Sequence, residues 1–188
     1  FMQYYYGPGW VKIKEYMTLM TAHAIKRNSH VGIFDKGLKM YPFIDANGHW
    51  LLPYAAFCVL RDMNGTPNFT QWKAHKKYNA KKIAAFCQEN KAAVDFWCFV
   101  QYHLDAQLSE VCKYAHSKGV VLKGDLPIGI SRTSADAWLY PELFHMDSQA
   151  GALPDVFSAD GQNWTFPTFN WERMAQDDYA WWKVRFAK

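Results

Sequence analysis

Asp125 is the carboxylate whose setting points most directly to chemistry. It follows the short apolar run Val120-Val121-Leu122 across Lys123-Gly124 and precedes Leu126-Pro127. A continuous apolar run of this length fits a buried parallel strand. In sheets of that kind, polar residues at the carboxyl ends of strands face the ligand. A carboxylate placed there accepts hydrogen bonds from hydroxyls, and charge-assisted bonds are the strong kind. Downstream, residues 128–169 read as a long loop rich in rings and punctuated by Gly151, Pro154, Gly161 and Pro167. Loops held by a rigid scaffold are where binding concentrates. The chain carries 9 Trp, 11 Tyr and 13 Phe, enough to fill a core and still leave flat faces for sugars or bases.

Other chemistries find less support. The cysteines are Cys58, Cys87, Cys98 and Cys112. None forms a Cys-x-x-Cys pair, and no histidine spacing completes a zinc site, so neither metal nor cofactor is expected. Each sits among apolar neighbours, as buried free thiols do, and reduced thiols fit a cytoplasmic setting. The net charge of +4 is small and scattered. Its densest run (Lys73, His75, Lys76, Lys77, Lys81, Lys82) reads as a solvated helix face, so nucleic acid is not an expected partner. No apolar run reaches the length of a bilayer span, and no signal peptide is visible, so no membrane partner is expected.

The elements that must position these residues divide into two stretches. Helices are expected over 16–25, 51–63, 81–89 and 94–116. The second follows the turn signal Asn47-Gly48 and ends before Asn64-Gly65. The last carries Phe96, Phe99, Val100, Leu104, Leu108, Val111 and Ala115 at helical spacing. His103 and Gln107, on or beside that stripe, read as polar groups bonded at a helix–helix contact. Ser117-Lys118-Gly119 reads as a helix stop. A short helix near Thr133 has a capping box in Thr133 and Asp136. Asn170 caps a helix from Trp171 to the end of the chain. Residues 1–116 are thus a mainly helical subdomain. Residues 117–188 are a strand, a long loop and a helix, and the class is α/β.

Longer motifs narrow this further. Lys123-Gly124-Asp125-Leu126-Pro127-Ile128 is followed by Ser134-Ala135-Asp136-Ala137-Trp138, Pro141-Glu142-Leu143-Phe144 and Pro154-Asp155-Val156-Phe157-Ser158. Gly161-Gln162-Asn163-Trp164, Trp171-Glu172-Arg173-Met174 and Tyr179-Ala180-Trp181-Trp182 continue the series. Over residues 45–188 the chain resembles the 4-α-glucanotransferases of glycoside hydrolase family 77. Gly129, Asn163, Trp50-Leu51-Leu52-Pro53-Tyr54-Ala55-Ala56-Phe57 and Val100-Gln101-Tyr102-His103-Leu104 resemble its plant disproportionating-enzyme 2 line and microbial relatives.

The resemblance implies a partial (β/α)8 TIM barrel with a large, mainly helical insertion. It also implies retaining transfer of α-1,4-glucosyl units between maltose, maltodextrins or other glucans. Retention needs two nearby carboxyl groups. The family's nucleophile lies in an Arg-x-Asp-His motif, which this chain lacks. By family spacing the chain stops short of that strand, so no catalytic residue is expected within it and the isolated chain should be inactive. The resemblance places Asp125 beside the donor sugar, and makes residues 155–167 the family's mobile cleft-side loop. Asp155, Phe157, Gln162 and Trp164 then become substrate-binding candidates. Val156 stands where bacterial relatives usually have Tyr, and Thr133 where they commonly have Asp. A strand without neighbours invites pairing, so 120–128 should pair with a second copy or be held by the helical region. The rival readings are a non-catalytic carbohydrate-binding module, from the rings alone, and a basic aromatic RNA-binding domain.

Overall fold

A computed structural model describes residues 33–186, with side chains from Met40 onward; the helix expected over 16–25 lies outside these residues. The chain divides into two units, Phe1–Gly48 and His49–Lys188. In chain order the described elements are α1 (Ile33–Asn64), α2 (Ala80–Glu89), α3 (Lys91–Ser117), α4 (Ala135–Leu139), β1 (Phe144–His145), β2 (Gly151–Ala152), β3 (Gln162–Asn163), β4 (Thr168–Phe169), α5 (Trp171–Ala175) and α6 (Ala180–Phe186). Single 3₁₀ turns lie at Phe69–Gln71 and Pro141–Leu143.

The turn expected at Asn47-Gly48 is instead helical, although the two units divide there. Asn47 uses its side-chain amide on the Phe43 carbonyl four residues back, at 2.9 Å, and so supports the helix rather than ending it. Beyond it, Ala55, Ala56, Phe57, Cys58, Val59 and Leu60 are all buried. Burial on every face fixes that stretch of the helix by packing, while residues 41–50 around the Asn47-Gly48 pair stay exposed or half-buried.

The expected helix over 81–89 becomes α2, where the Asn79 side chain accepts from the Lys82 amide. It buries Ile83 and Phe86, while Lys73, Lys76, Lys77, Lys81 and Lys82 stay exposed. The long helix α3 starts three residues earlier than its apolar spacing shows. It stops where predicted: Gly119, at φ +74°, donates to the His116 carbonyl and Val120 to the Ala115 carbonyl. That pairing is a Schellman motif, which needs a residue free to take positive φ.

The apolar stripe of α3 is only partly buried. Phe99, Val100 and Ala115 are half-buried and Phe96, Leu104, Leu108 and Val111 exposed, while the buried face of the helix is Val94 and Cys98, outside the expected stripe. Gln107 is exposed too, which corrects its expected place in a helix contact. Cys58 and Cys98 are buried as expected, but Cys87 and Cys112 only half so; all four are free. Burial pushes the Cys58 thiol up to about 11 and the Cys98 thiol up to about 12, which keeps both protonated and inert.

Two ring clusters make the core of the second unit. In the first, Trp138 of α4 packs on Phe57, Trp72 and Tyr78, with centroids 5.7, 5.8 and 5.2 Å away. Both indoles are satisfied: Trp72 donates to the Thr66 carbonyl and Trp138 to the His75 carbonyl, each at 2.8 Å. In the second, Leu143, Phe144, Met174 and Trp181 are buried, with Ile130, Tyr140, Met146, Phe169 and Trp182 packed against them. Asp136 links α4 to α6, accepting from Arg185 at 2.6 Å and from the Trp181 indole at 3.2 Å. The cap of α4 is therefore Ser134, whose hydroxyl accepts from Ala137, and the expected Thr133–Asp136 capping box is not formed.

The expected buried strand is not a strand here. Val120, Val121 and Leu122 lie in an exposed segment without regular structure. A parallel strand takes its hydrogen bonds from strands remote in sequence, and none of the described strands pairs with this run. The strands that do form are antiparallel. Phe144 and His145 pair with Phe169 and Thr168, and Gly151 and Ala152 with Asn163 and Gln162. They are two parts of one irregular ribbon, joined by bonds from Ala150 to the Phe166 carbonyl and from Trp164 to the Ala150 carbonyl. Asn170 caps α5 as expected, accepting from Arg173. The terminal helix is broken, however: Asp178 and Tyr179 take positive φ, and α6 starts anew at Ala180.

Candidate functional site

The ribbon sets the geometry of the candidate residues. Its outer part, β2 and β3, carries residues 153–161 as its tip. Within the tip, Asp155 accepts at one carboxylate oxygen from the amides of Phe157 and Ser158, both at 2.8 Å. The Asp155 amide donates back to the Ser158 carbonyl. This is the local side-chain turn that Asp favours. Ser158 closes the base, donating to the Gly161 carbonyl at 2.7 Å. Gly161 takes φ +73°, and a Cβ there would press on the Ala152 carbonyl at 2.7 Å, so the turn requires glycine. The result displays Leu153, Val156 and Phe157, the last two more than nine-tenths exposed. Phe157 does not anchor the loop.

Gln162 and Trp164 lie two residues apart on one edge of the ribbon. In a strand, that spacing places both side chains on the same face. The Gln162 amide oxygen accepts from the Trp164 indole at 2.9 Å. This fixes the indole and leaves the Gln162 NH2 free to donate. Trp164 leans on Phe166, centroids 5.8 Å apart, and keeps an exposed face. A flat ring beside an amide donor can stack on a pyranose ring and bond one of its hydroxyls.

Four of the five expected site residues are therefore gathered in one loop and ribbon. Asp125 is not among them. It is exposed, and its one hydrogen bond is from the amide of the next residue, Leu126, at 2.9 Å. Its second carboxylate oxygen is open.

The sequence reading passes over Arg132, which joins the Asp125 segment to the ribbon. Its Nε donates to the Thr165 carbonyl at 2.8 Å, one terminal nitrogen to the Met146 carbonyl at 2.5 Å, and the other to the Ser148 carbonyl. The signal for it was its isolation: it is the one charged residue between Asp125 and Asp136. Asn163 adds a bond to Gln149 and accepts from the Thr165 amide.

Among the described residues no group of His, Cys, Asp and Glu side chains could hold a metal ion. No described helix is long and apolar enough to cross a membrane. A shallow cavity of about 430 Å³ lies at the chain's last helices, lined by Trp171, Tyr179, Trp182, Lys183 and Phe186.

Comparison with known proteins gives a consistent set of relatives. Residues 10–188 match the family described as 4-alpha-glucanotransferase, Glyco_hydro_77. The 4-alpha-glucanotransferase DPE2 of Oryza sativa subsp. japonica is 48% identical over 149 residues, which are 78% of this chain and 16% of the rice protein. A 4-alpha-glucanotransferase of Chlamydia pneumoniae is 32% identical over 177 residues, 94% of this chain and 32% of its own. In three dimensions the chain resembles an amylomaltase from Streptococcus agalactiae solved in complex with acarbose. The TM-score is 0.69 at 29% identity, covering 79% of this chain and 32% of that one. The chain thus spans about a sixth to a third of the length of these relatives.

Proposed function

The chain belongs to the 4-α-glucanotransferase family, and we propose that it supplies the glucan-binding wall of a retaining transferase that moves α-1,4-glucosyl units between maltose, maltodextrins or other glucans. The observation that carries this is the Gln162–Trp164 pair, an exposed ring held by the amide whose NH2 remains free. Asp155 shapes the tip that presents Phe157, and Asp125 offers an open carboxylate oxygen to a sugar hydroxyl. The solved amylomaltase relative in complex with acarbose supports an oligosaccharide ligand for this surface.

The fold belongs to the same proposal. Residues 1–116 form the helical insertion of a (β/α)8 barrel, and 117–188 one strand, its cleft-side loop and the following helix. The exposed run Val120-Val121-Leu122 is that strand, its edges filled by neighbouring strands of the full-length protein or, in the isolated chain, by a second copy. The nucleophile and the acid/base lie outside this chain, which contains no Arg-x-Asp-His. Four free thiols support a cytoplasmic setting.

The test is Asp125→Asn in the full-length protein, since the change is nearly isosteric, removes the charge and replaces one acceptor oxygen with an NH2 donor. A hydrogen bond to a charged group contributes roughly 1.5–3 kcal/mol, so transfer between maltodextrins should fall about tenfold to a hundredfold at an unchanged melting temperature. Near-normal kinetics with a lowered melting temperature would instead make Asp125 a loop cap.

A further inference from the structure

The ribbon is interrupted between its two paired parts. Residues 146–150 on one strand and 164–167 on the other lie between the pairs His145–Thr168 and Gly151–Asn163. An interrupted ladder leaves carbonyls without partners, and a two-stranded ribbon has no third strand to supply them. Here three of those carbonyls, on Met146, Ser148 and Thr165, are taken by the half-buried guanidinium of Arg132. Only arginine presents donors in a planar fork able to reach both strands at once.

Thr165 is where the interruption is strained. It takes φ +66°, a conformation that β-branched residues avoid. Its carbonyl is held by Arg132 Nε and its amide by the Asn163 side chain. Its hydroxyl donates to the Trp164 carbonyl at 2.6 Å. The peptide groups on both sides of Thr165 are thereby fixed, and with them the direction in which Trp164 leaves the ribbon. Backbone strain held by surrounding contacts is a recurrent way of pre-organising a binding site.

We propose that Arg132 is the positioning residue for glucan binding: its guanidinium holds Thr165 in its left-handed turn and so aims Trp164 and Gln162 at the sugar. This rests on the glucan-binding role of the Gln162–Trp164 pair proposed above. Without Arg132, Thr165 relaxes to an ordinary negative φ and the indole turns away. Glycine at that position has no such preference, so a Thr165→Gly change should partly replace the missing clamp.

The experiment uses the full-length protein with maltodextrin as probe. Arg132→Ala should raise KM at least fivefold with kcat within about threefold, the pattern of lost ground-state binding. Adding Thr165→Gly should recover at least threefold of that rise. A merely structural arginine would lower the melting temperature without any rescue by glycine. Any result short of both the rise and the recovery overturns the proposal. If Arg132→Ala does not fold, Arg132→Lys, which keeps the charge but loses the fork, should raise KM at least threefold; an unchanged KM overturns the proposal. Hydrogen exchange separates the clamp from the activity. The amide of Thr165, which donates to the Asn163 side chain, should exchange at least tenfold faster in Arg132→Ala, and an unchanged rate overturns the proposal. A wild-type protein that shows this clamp but neither binds nor transfers maltodextrin would sink the glucan-binding role, and the proposal with it, while identifying the former as the failure.

Discussion

The helices around Trp72 and Trp138 and the ribbon around Trp164 use the same residue type under different physics. In the helical part, indoles are buried, packed on other rings, and bonded through Nε1 to distant carbonyls. Stability there comes from apolar area removed from water, spread over many neighbours. In the ribbon, Trp164 is exposed and held by one amide. Its position comes from hydrogen bonds to particular carbonyls, a glycine at positive φ and a strained threonine. Burial stabilises a fold without fixing one atom precisely. Directional bonds fix atoms and add little net stability. A surface that must present rings and donors to a polar ligand uses the second.

The largest effect should therefore come from the buried indoles. Trp138→Ala removes the ring that meets Phe57, Trp72 and Tyr78, and should cost about 3–5 kcal/mol, as large buried rings do. Urea unfolding would measure it, and a loss below about 1 kcal/mol would erase the contrast between the two regions. An intermediate effect is expected at the tip. Asp155→Ala removes two bonds to amides in an exposed loop, so hydrogen exchange of Phe157 and Ser158 should accelerate severalfold. Global stability should change by no more than about 0.5 kcal/mol, as for surface changes in general. A larger global change would mean that the tip shares the core's cooperativity. The smallest effect is expected at Leu108 on the exposed part of α3. Leu108→Gln should leave unfolding of this chain within about 0.5 kcal/mol of wild type. A loss of 1 kcal/mol or more that grows with protein concentration would show that a second copy covers this face.

Much of the framework was legible along the chain. The apolar period marked α3, Ser117-Lys118-Gly119 marked the stop, and Asn170 marked a cap, because each is a local rule satisfied within a few residues. The clustering of Asp155, Phe157, Gln162 and Trp164 was visible in the motif series, because all four fall within one loop. Local signals misled at three places. Asn47-Gly48 is helical, Asp136 left its expected capping box for Arg185, and the terminal helix breaks at Asp178 and Tyr179.

By itself, then, the sequence determined the helices expected over 51–63, 81–89 and 94–116, the family and the loop on which four of the five candidate residues sit. These depend on period, capping chemistry and motif, all written in neighbouring residues. The tertiary structure alone decided the role of Arg132, the partner of Asp136, and the exposure of Val120, Val121 and Leu122. Arg132 reaches carbonyls 14, 16 and 33 residues away, and the Asp136–Arg185 bond closes a separation of 49 residues. A guanidinium or a carboxylate has no preferred partner along the chain, and an apolar run has no fixed neighbour. Which group it meets depends on how the backbone has already folded around it.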